Sequence, residues 1–303
     1  MVLKYKLGWE KRLFFNVEGS VMPETDKLIY YSAMARRLII ETLLKANCGH
    51  PGGALSSVEL MVALFFQILK IQPQNPNWDE RDRFVLSKGH SSIGLYSVMH
   101  LRGFFDKDIL FSFRQDNSCL GGHPDMKKLP GIEMSTGALG HGLSVGVGMS
   151  LAANLDKRKY KVFVLMGDGE TQEGSIWEAA MSASHYKLDN LIGIVDRNRF
   201  QIDGSTEDII SLEPYRKKWE SFGWKVEEIN GHDFTEIIGC MEKIPFKNGQ
   251  PSLIIANTIK GKGVSFMENT HKWHGGAPTG ELAQKALLEV NASLEQMECK
   301  KNQ

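Results

Sequence analysis

Two short apolar runs, one ending on a glycine-flanked aspartate and the other on an asparagine, constrain this chain more than any other feature. Val162-Phe163-Val164-Leu165-Met166 reads as a buried strand and stops at Gly167-Asp168-Gly169. A stretch with helical spacing through Trp177, Ala180 and Ser184 follows, and a second run, Leu191-Ile192-Gly193-Ile194-Val195, then leads into Asp196-Arg197-Asn198. Strand, helix and strand in that order make a βαβ unit, whose crossover requires the two strands to run parallel. Asp168 and Asn198 are thereby delivered to one edge of a sheet, the carboxyl edge at which open α/β sheets bind ligands.

The rest of the chain repeats the alternation. Leu28, Tyr31, Ala35 and Leu38 recur at helical spacing and predict a helix over Thr25 to Asn47, with Thr25 and Asp26 offering an N-cap. It stops at Cys48-Gly49-His50-Pro51-Gly52-Gly53, and a second helix, Ser57 to Leu69, carries Glu59 in its first turn to complement the dipole. Arg83 to Ser87 is a strand that runs into Lys88-Gly89-His90, after which Ser91 and Ser92 can cap a helix through Tyr96 to Leu101. Residues 112–139 form a long loop carrying Gly121-Gly122-His123-Pro124. A small-residue helix follows, with Gly142, Gly146, Gly148, Ala152 and Ala153, and such a helix can approach another backbone closely. After the turn Gln201 to Gly204 come a helix at Pro214 to Phe222, a strand at Lys225 to Ile229, a helix at Asp233 to Met241 and a strand at Leu253 to Thr258, which ends at Lys260-Gly261-Lys262-Gly263.

This order predicts an α/β fold with a mainly parallel sheet and helices on both faces. Residues 1–22 lack a sustained period and read as an arm or a start-site extension. Residues 23–276 form one domain, to which 277–303 add a C-terminal helix, amphipathic from Gly280, and a frayed tail from Cys299.

Composition narrows the function classes. With 303 residues, 42% of them hydrophobic, the chain can bury a substantial core. Its 36 basic and 36 acidic residues cancel, so no global field favours nucleic acid or an anionic membrane. No apolar stretch reaches membrane-spanning length, and the first residues lack the apolar block of a signal peptide, which together suggest a cytoplasmic protein. Cys48, Cys119, Cys240 and Cys299 are scattered without a C-x-x-C pair, against a disulfide framework or thiolate zinc site.

Nine histidines are present, and five directly follow glycine: His50, His90, His123, His141 and His232. Ordinary composition gives about one such pair. Glycine permits tight turns and leaves the neighbouring imidazole unobstructed, which suits acids, bases and hydroxyl ligands, although any single pair is also an ordinary loop. Asp168 and Asn198 provide one carboxylate and one amide oxygen, a sparse set that suits magnesium completed by phosphate oxygens and water. Gly-Asp-Gly alone is equally a plain turn; the two strands that end beside each other favour the metal-phosphate reading.

The span from Gly167 to Asn198 resembles the thiamine-diphosphate fingerprint, and the surrounding turns resemble the N-terminal half of transketolase. Gly49-His50-Pro51-Gly52, Lys88-Gly89-His90, Gly122-His123-Pro124, Ser135-Thr136-Gly137-Ala138-Leu139-Gly140 and Trp273-His274-Gly275 occur in that family's order over residues 25–276. The resemblance implies a thiamine-diphosphate-binding fold of the diphosphate-binding (PP) type. It implies that Asp168, Asn198 and the Phe200 carbonyl hold magnesium, with calcium or manganese as substitutes. Gly167 and Gly169 would then approach the diphosphate, and His90, Gly137, Ala138 and Leu139 would line the cofactor.

By the same resemblance His50, His123 and His274 face substrate. His50 and His274 jointly move the two protons of ketol transfer, or else only hydrogen-bond sugar hydroxyls. Glu173 matches a glutamate linking two active sites across the interface between protomers; its structural alternative is a first-turn glutamate. The family often has glutamine where this chain has His141, which leaves His141 without a catalytic assignment. Lys260 and Lys262 could pair with anionic ligands, although solvated loop lysines are commoner.

The family's catalytic glutamate and sugar-phosphate arginines lie in a second, pyrimidine-binding domain, and nothing after Gly276 resembles them. The implied enzyme is therefore split. This chain would be its diphosphate-binding subunit, joined by a separate pyrimidine-binding subunit in an α2β2 heterotetramer that transfers a two-carbon ketol unit between sugar phosphates. Ala179 to Ser184 would be a packing surface for the partner. The alternatives are a related thiamine reaction, such as 1-deoxyxylulose-5-phosphate synthesis or use of an unusual sugar, and a non-catalytic binding module. The intact Asp168, Asn198 and histidine set weighs against the last.

Overall fold

Five strands, β1 (Arg83–Leu86), β2 (Val162–Gly167), β3 (Leu191–Arg197), β4 (Lys225–Asn230) and β5 (Ser252–Asn257), form one sheet in the order β1-β2-β3-β5-β4. The computed structural model describes residues 23–301; the arm expected at residues 1–22 lies outside them. Every neighbouring pair of strands is parallel. Gly167 lies opposite Asp196, which lies opposite Ala256, so β2, β3 and β5 end nearly level with one another. That alignment turns separate strand-end residues into one edge.

Both sheet faces are covered, which is why these strands read as continuous apolar runs. Phe163, Leu165, Ile192, Ile194, Ile254 and Ala256 enter one core, under the helices Glu24–Ala46, Val58–Ala63, Ser92–Arg102 and Phe234–Met241. Their alternating neighbours Val162, Val164, Met166, Leu191, Val195, Leu253 and Ile255 enter the other, under the helices His141–Leu155, Gly174–His185 and Tyr215–Ser221. The final helix, Gly280–Lys301, packs along Glu24–Ala46.

Three local expectations change, and a fourth gains a second role. The first helix begins at Glu24 behind Pro23, so Thr25 lies inside it and does not cap it. The turn after it is shorter than its glycines suggest: helix resumes at Pro51, whose missing N–H costs nothing at a first helical position, and Pro51–Ser56 is buried throughout. Ser91 and Ser92 make no capping bond; Ser92 Oγ instead donates to the Gly122 carbonyl at 2.9 Å, tying this helix to the long loop. Glu59 does stand in the first turn of its helix, Val58–Ala63, and it has buried partners as well. It is buried against Arg36 at 2.7 Å and His232 at 3.0 Å, and although burial raises its pKa these partners hold it at about 2.

The small-residue helix does make the close approach. A β-carbon at Gly146 would lie 2.6 Å from a methyl of Val164 on β2, whereas one at Gly148 would meet nothing within 4 Å. Replacing either glycine by alanine improves helix propensity by about 1 kcal/mol. Only the first also overpacks a rigid, β-branched neighbour, at a cost of about 1–3 kcal/mol. Urea unfolding of the chain is therefore expected to move in opposite directions, to lower urea for Gly146→Ala and to higher urea for Gly148→Ala; a shared direction would contradict the packing.

Candidate active site

Asp196 is the last buried acid of β3, and it is fully enclosed. Its carboxylate accepts from Lys88 Nζ at 2.6 Å, from Ser56 Oγ at 2.6 Å, from the Asn198 amide at 2.9 Å and from Thr258. Burial alone would raise its pKa, but the Lys88 ammonium and these hydroxyls hold it below the usual carboxylate value. The residues that follow β1, β3 and β5 are thereby tied to one carboxylate.

Asp168 lies one step past the end of β2 and is 1% exposed. Its two oxygens accept from the backbone N–H groups of Gly169, at 2.8 Å, and Arg199, at 2.5 Å. Burial, reinforced by the nearby Asp196 charge, pushes its pKa up to about 7. Such a carboxylate gains strongly from a cation. The Asn198 amide nitrogen is committed to Asp196, which fixes the direction of its oxygen, and that oxygen accepts from Phe200 N–H at 3.1 Å. The Phe200 carbonyl accepts from Lys260 Nζ at 3.1 Å.

These three donors border a cavity of about 300 Å³ that also takes in Lys88, His90, Leu139, Gly169, Lys260 and His274. One carboxylate, one amide oxygen and one carbonyl suit a hard cation that keeps other oxygens as ligands. Among the described residues no three His, Cys, Asp or Glu side chains gather into a metal cluster, as expected for so sparse a donor set. The residues therefore fit magnesium with a diphosphate beside it.

Four imidazoles gather next to this cavity. His90 and His274 stack with centroids 4.9 Å apart, and His50 lies 5.5 Å from His90, 5.9 Å from His274 and 6.2 Å from His123. Backbone bonds hold the two loops that supply His50 and His274. Gly52 N–H donates to Trp273 at 3.0 Å, Gly261 N–H to Gly52 at 3.0 Å and Gly276 N–H to Gly49 at 2.7 Å. Gly52 has to be glycine, since a β-carbon there would stand 2.8 Å from the Trp273 carbonyl oxygen. Desolvation, followed by neighbouring positive charge, lowers His50 to about 4 and His274 to about 3, and lowers His90 and His123 as well. All four are neutral near pH 7, and the buried Nδ1 of His50 has no hydrogen-bond partner among the described residues.

Of the residues singled out from sequence, Asp168, Gly167, Gly169, Asn198, Phe200, His90, Leu139 and His274 border one cavity. His50 and His123 complete the imidazole cluster, with the His123 ring 3.2 Å from where a β-carbon on Gly137 would be; Ala138 continues that turn. Glu173 is exposed on the cavity's rim and precedes the helix Gly174–His185. His141 stands apart and exposed, its Nδ1 3.0 Å from the Leu139 carbonyl. His232 serves Glu59 and accepts from Ile259 N–H at 2.9 Å.

Two expectations need correction. Lys260 is not a solvated loop lysine: it is 1% exposed, 3.1 Å from His274 Nδ1, and burial lowers its pKa to about 8 against the pull of Asp168 and Asp196. Ala179, Ala180 and Ala183 face this chain's own core, leaving Met181 as the exposed apolar residue of that segment.

Asp196, Lys88 and Glu170 escaped the sequence reading. Glu170 is buried and clamps three turns, accepting from Ser87 Oγ at 2.5 Å, Gly140 N–H at 3.0 Å and Gly167 N–H at 3.0 Å. A signal existed: an acid inside a fully buried strand requires a partner, and Lys88 is the lysine at the end of β1, two strands away in the sheet.

Residues 26–290 match the family model described as transketolase, thiamine diphosphate binding domain. The chain is 47% identical over 279 residues to one of the subunits of apulose-4-phosphate transketolase from Phocaeicola vulgatus, covering 92% of this chain and 99% of that one. It is 44% identical to a 6-deoxy-6-sulfo-D-fructose transketolase subunit from a Clostridium species, covering 87% and 96%. The crystal structure of transketolase from Campylobacter jejuni superimposes with a TM-score of 0.80 at 36% identity, covering 89% of this chain and 45% of that one. The chain thus spans about half the length of that solved structure and nearly all of the two subunits.

The neutral histidines predict how stability depends on pH. His274 has a folded pKa of about 3, below its unfolded value, so between about 6.5 and 3 the unfolded state binds the extra proton. Acidification through that window therefore destabilises the fold. Asp168, with its raised pKa, contributes in the opposite sense between its unfolded value and about 7. The clean measurement is a difference: relative to wild type, His274→Gln should gain stability steadily as pH falls from 7 to 4 in urea titrations. A gap independent of pH would contradict a depressed His274.

Proposed function

The chain belongs to the family of transketolase thiamine-diphosphate-binding domains, and from that premise we propose that it is the diphosphate-binding subunit of a two-chain transketolase. The observation that carries the proposal is the convergence of four neutral imidazoles on a cavity edged by Asp168, Asn198 and the Phe200 carbonyl. Two relatives that this chain covers almost end to end are themselves named as transketolase subunits, which supports a separate pyrimidine-binding partner. We take the assembly to be an α2β2 heterotetramer, since the pyrimidine-binding half has to complete each site. The reaction is transfer of a two-carbon ketol unit from a ketose phosphate to an aldose phosphate. The names of those relatives, one acting on a sugar phosphate and one on a sulfosugar, favour an unusual sugar as a second reading of the substrate.

In this reading Asp168, Asn198 and the Phe200 carbonyl hold magnesium and, through it, the diphosphate of the cofactor. Thiamine diphosphate, when bound, supplies the electron sink that allows a bond between two sugar carbons to break. The chain's own work is proton transfer and positioning. His50 and His274 arrive neutral, so either can accept the donor's hydroxyl proton and later give it to the alkoxide formed on the acceptor. His123 orients the sugar through hydrogen bonds, and His90 packs against His274 and limits its rotation. Lys260 lies 3.1 Å from His274, and its charge favours the neutral imidazole. Glu173, at the rim, is the residue we assign to the link between active sites. Among the described residues no helix is long and apolar enough to cross a membrane, and all four cysteines are free; a cytoplasmic setting accords with both.

The test is reconstitution. The chain mixed with a pyrimidine-binding partner should transfer two-carbon units in the presence of thiamine diphosphate and magnesium, and neither chain should do so alone. Activity from this chain by itself would overturn the two-chain reading. Asp168→Ala should weaken cofactor binding by about tenfold or more at limiting magnesium, read by calorimetry on the complex; unchanged binding would overturn the metal assignment.

A further inference from the structure

Arg36, Glu59 and His232 form a cluster apart from the cofactor cavity, and none of the three lines it. Arg36 and Glu59 are buried. They meet through two parallel contacts: Nη2 of Arg36 donates to Oε2 of Glu59 at 2.8 Å, and Nη1 lies 2.7 Å from Oε1. His232, just past β4, places its Nδ1 3.0 Å from the same carboxylate. A buried ion pair gains little net stability over apolar packing, because desolvation offsets most of its attraction, so stability alone is a weak reason for this cluster.

Much of the hydrogen-bonding capacity left to these side chains goes to one loop. A backbone N–H only donates, so the 2.9 Å contact from Ile259 N–H makes His232 Nε2 the acceptor and leaves the ring proton on Nδ1, facing a carboxylate that only accepts. Arg36 Nε donates to the Lys262 carbonyl at 2.9 Å. Gly263 lies against the same arginine: its φ is 92°, and a β-carbon there would stand 2.8 Å from Arg36 Cδ. The cluster therefore grips the loop at Ile259 and at Lys262, with Lys260 between them. Lys260 Nζ in turn reaches the Phe200 carbonyl and His274 Nδ1, both at 3.1 Å.

We propose that Glu59, acting through Arg36 and His232, is a positioning residue that sets the backbone on both sides of Lys260 and so aims its ammonium at His274 and the Phe200 carbonyl. A lysine head rides on a flexible four-carbon stem, so it is placed only as well as the backbone that bears it. Glu59 supplies that placement through the two side chains that hold the loop. It fixes the donor and acceptor sides of the His232 ring, and it engages both Nη atoms of Arg36, leaving Nε for Lys262. The proposal rests on the transketolase reading, in which Lys260 acts on His274.

Two near-isosteric substitutions separate aiming from charge satisfaction. His232→Asn keeps a donor for Glu59 at the Nδ1 position and loses the acceptor for Ile259, whereas His232→Gln keeps an acceptor near the Nε2 position and loses the donor to Glu59. In the reconstituted two-subunit enzyme at saturating cofactor, kcat should fall by about tenfold in His232→Asn and by less in His232→Gln. In the full chain, reductive methylation read by mass spectrometry should leave Lys260 protected in wild type and His232→Gln, and label it in His232→Asn. If the cluster served only to satisfy a buried charge, the order would reverse, since the Asn variant is the one that keeps Glu59 bonded. An Asn variant as active as the Gln variant, or one with Lys260 still protected, would overturn the proposal. Should His232→Asn not fold, Arg36→Lys decides by the same two measurements, because its ammonium can stay beside Glu59 without also reaching the Lys262 carbonyl. A wild-type complex that transfers no two-carbon unit would overturn the transketolase reading, while the labelling of Lys260 would still decide the positioning.

Discussion

One buried carboxylate organises the carboxyl edge of the sheet. Asp196 is enclosed at the end of the central strand, where an unpaired charge would cost several kcal/mol. Its partners come from every direction: Lys88 after β1, Ser56 from the helix Pro51–Ser56, Thr258 after β5 and Asn198 two residues along. Each satisfies part of the charge, and each is fixed in return. Lys88 heads the turn that carries His90, Ser56 ends the helix that follows His50, and Thr258 opens the loop that supplies Lys260 and His274. Asn198 is aimed by the same carboxylate. The need to satisfy one anion therefore sets the geometry of residues that are far apart in sequence.

That anion also acts at a distance on the chemistry. Asp168 is raised to about 7 by burial and by Asp196, while Lys260 is lowered to about 8 by burial, so both groups have room to respond to a ligand near neutral pH. The imidazoles lie on the other side of this balance. Lys260, Lys88 and Arg114 add positive potential to the desolvation that already keeps them neutral. The buried acids and the neutral imidazoles therefore sit on opposite sides of one electrostatic balance, joined through Lys260, which faces both Asp168 and His274.

Legibility followed the range of the cause. Strands, their parallel order and the turn at Asp168 were readable because a buried strand announces itself in consecutive apolar residues, and its end in glycine. The Gly-His turns were readable for the same reason, although the rule overreached: His141 lies exposed and His232 serves a structural carboxylate. Lys260 was misjudged because solvent exposure is decided by what packs over a loop. Here the cover comes from Gly52, whose absent side chain leaves the lysine stem room to lie at 3.0 Å from a β-carbon position. Lys88 and Asp196 are 108 residues apart, and no local pattern pairs them. Glu59 was readable as a helix-start residue, but its partners Arg36 and His232 were not, because they arrive from separate elements.

The division between backbone and side chain explains how this chain brings its histidine loops together on its own. His50 and His274 are flexible side chains, but the loops that bear them are joined by three main-chain bonds between Gly49 or Gly52 and residues 261–276. Main-chain bonds at such close approach are possible only where side chains are missing, which is what the glycines of both loops provide. The cost of ordering these loops is thus met during folding rather than at binding, and preorganisation of this kind is what allows hydrogen-bonding groups to favour a transition state. The four imidazoles are thus gathered by the fold itself, with neighbouring ring centroids 4.9 to 6.2 Å apart.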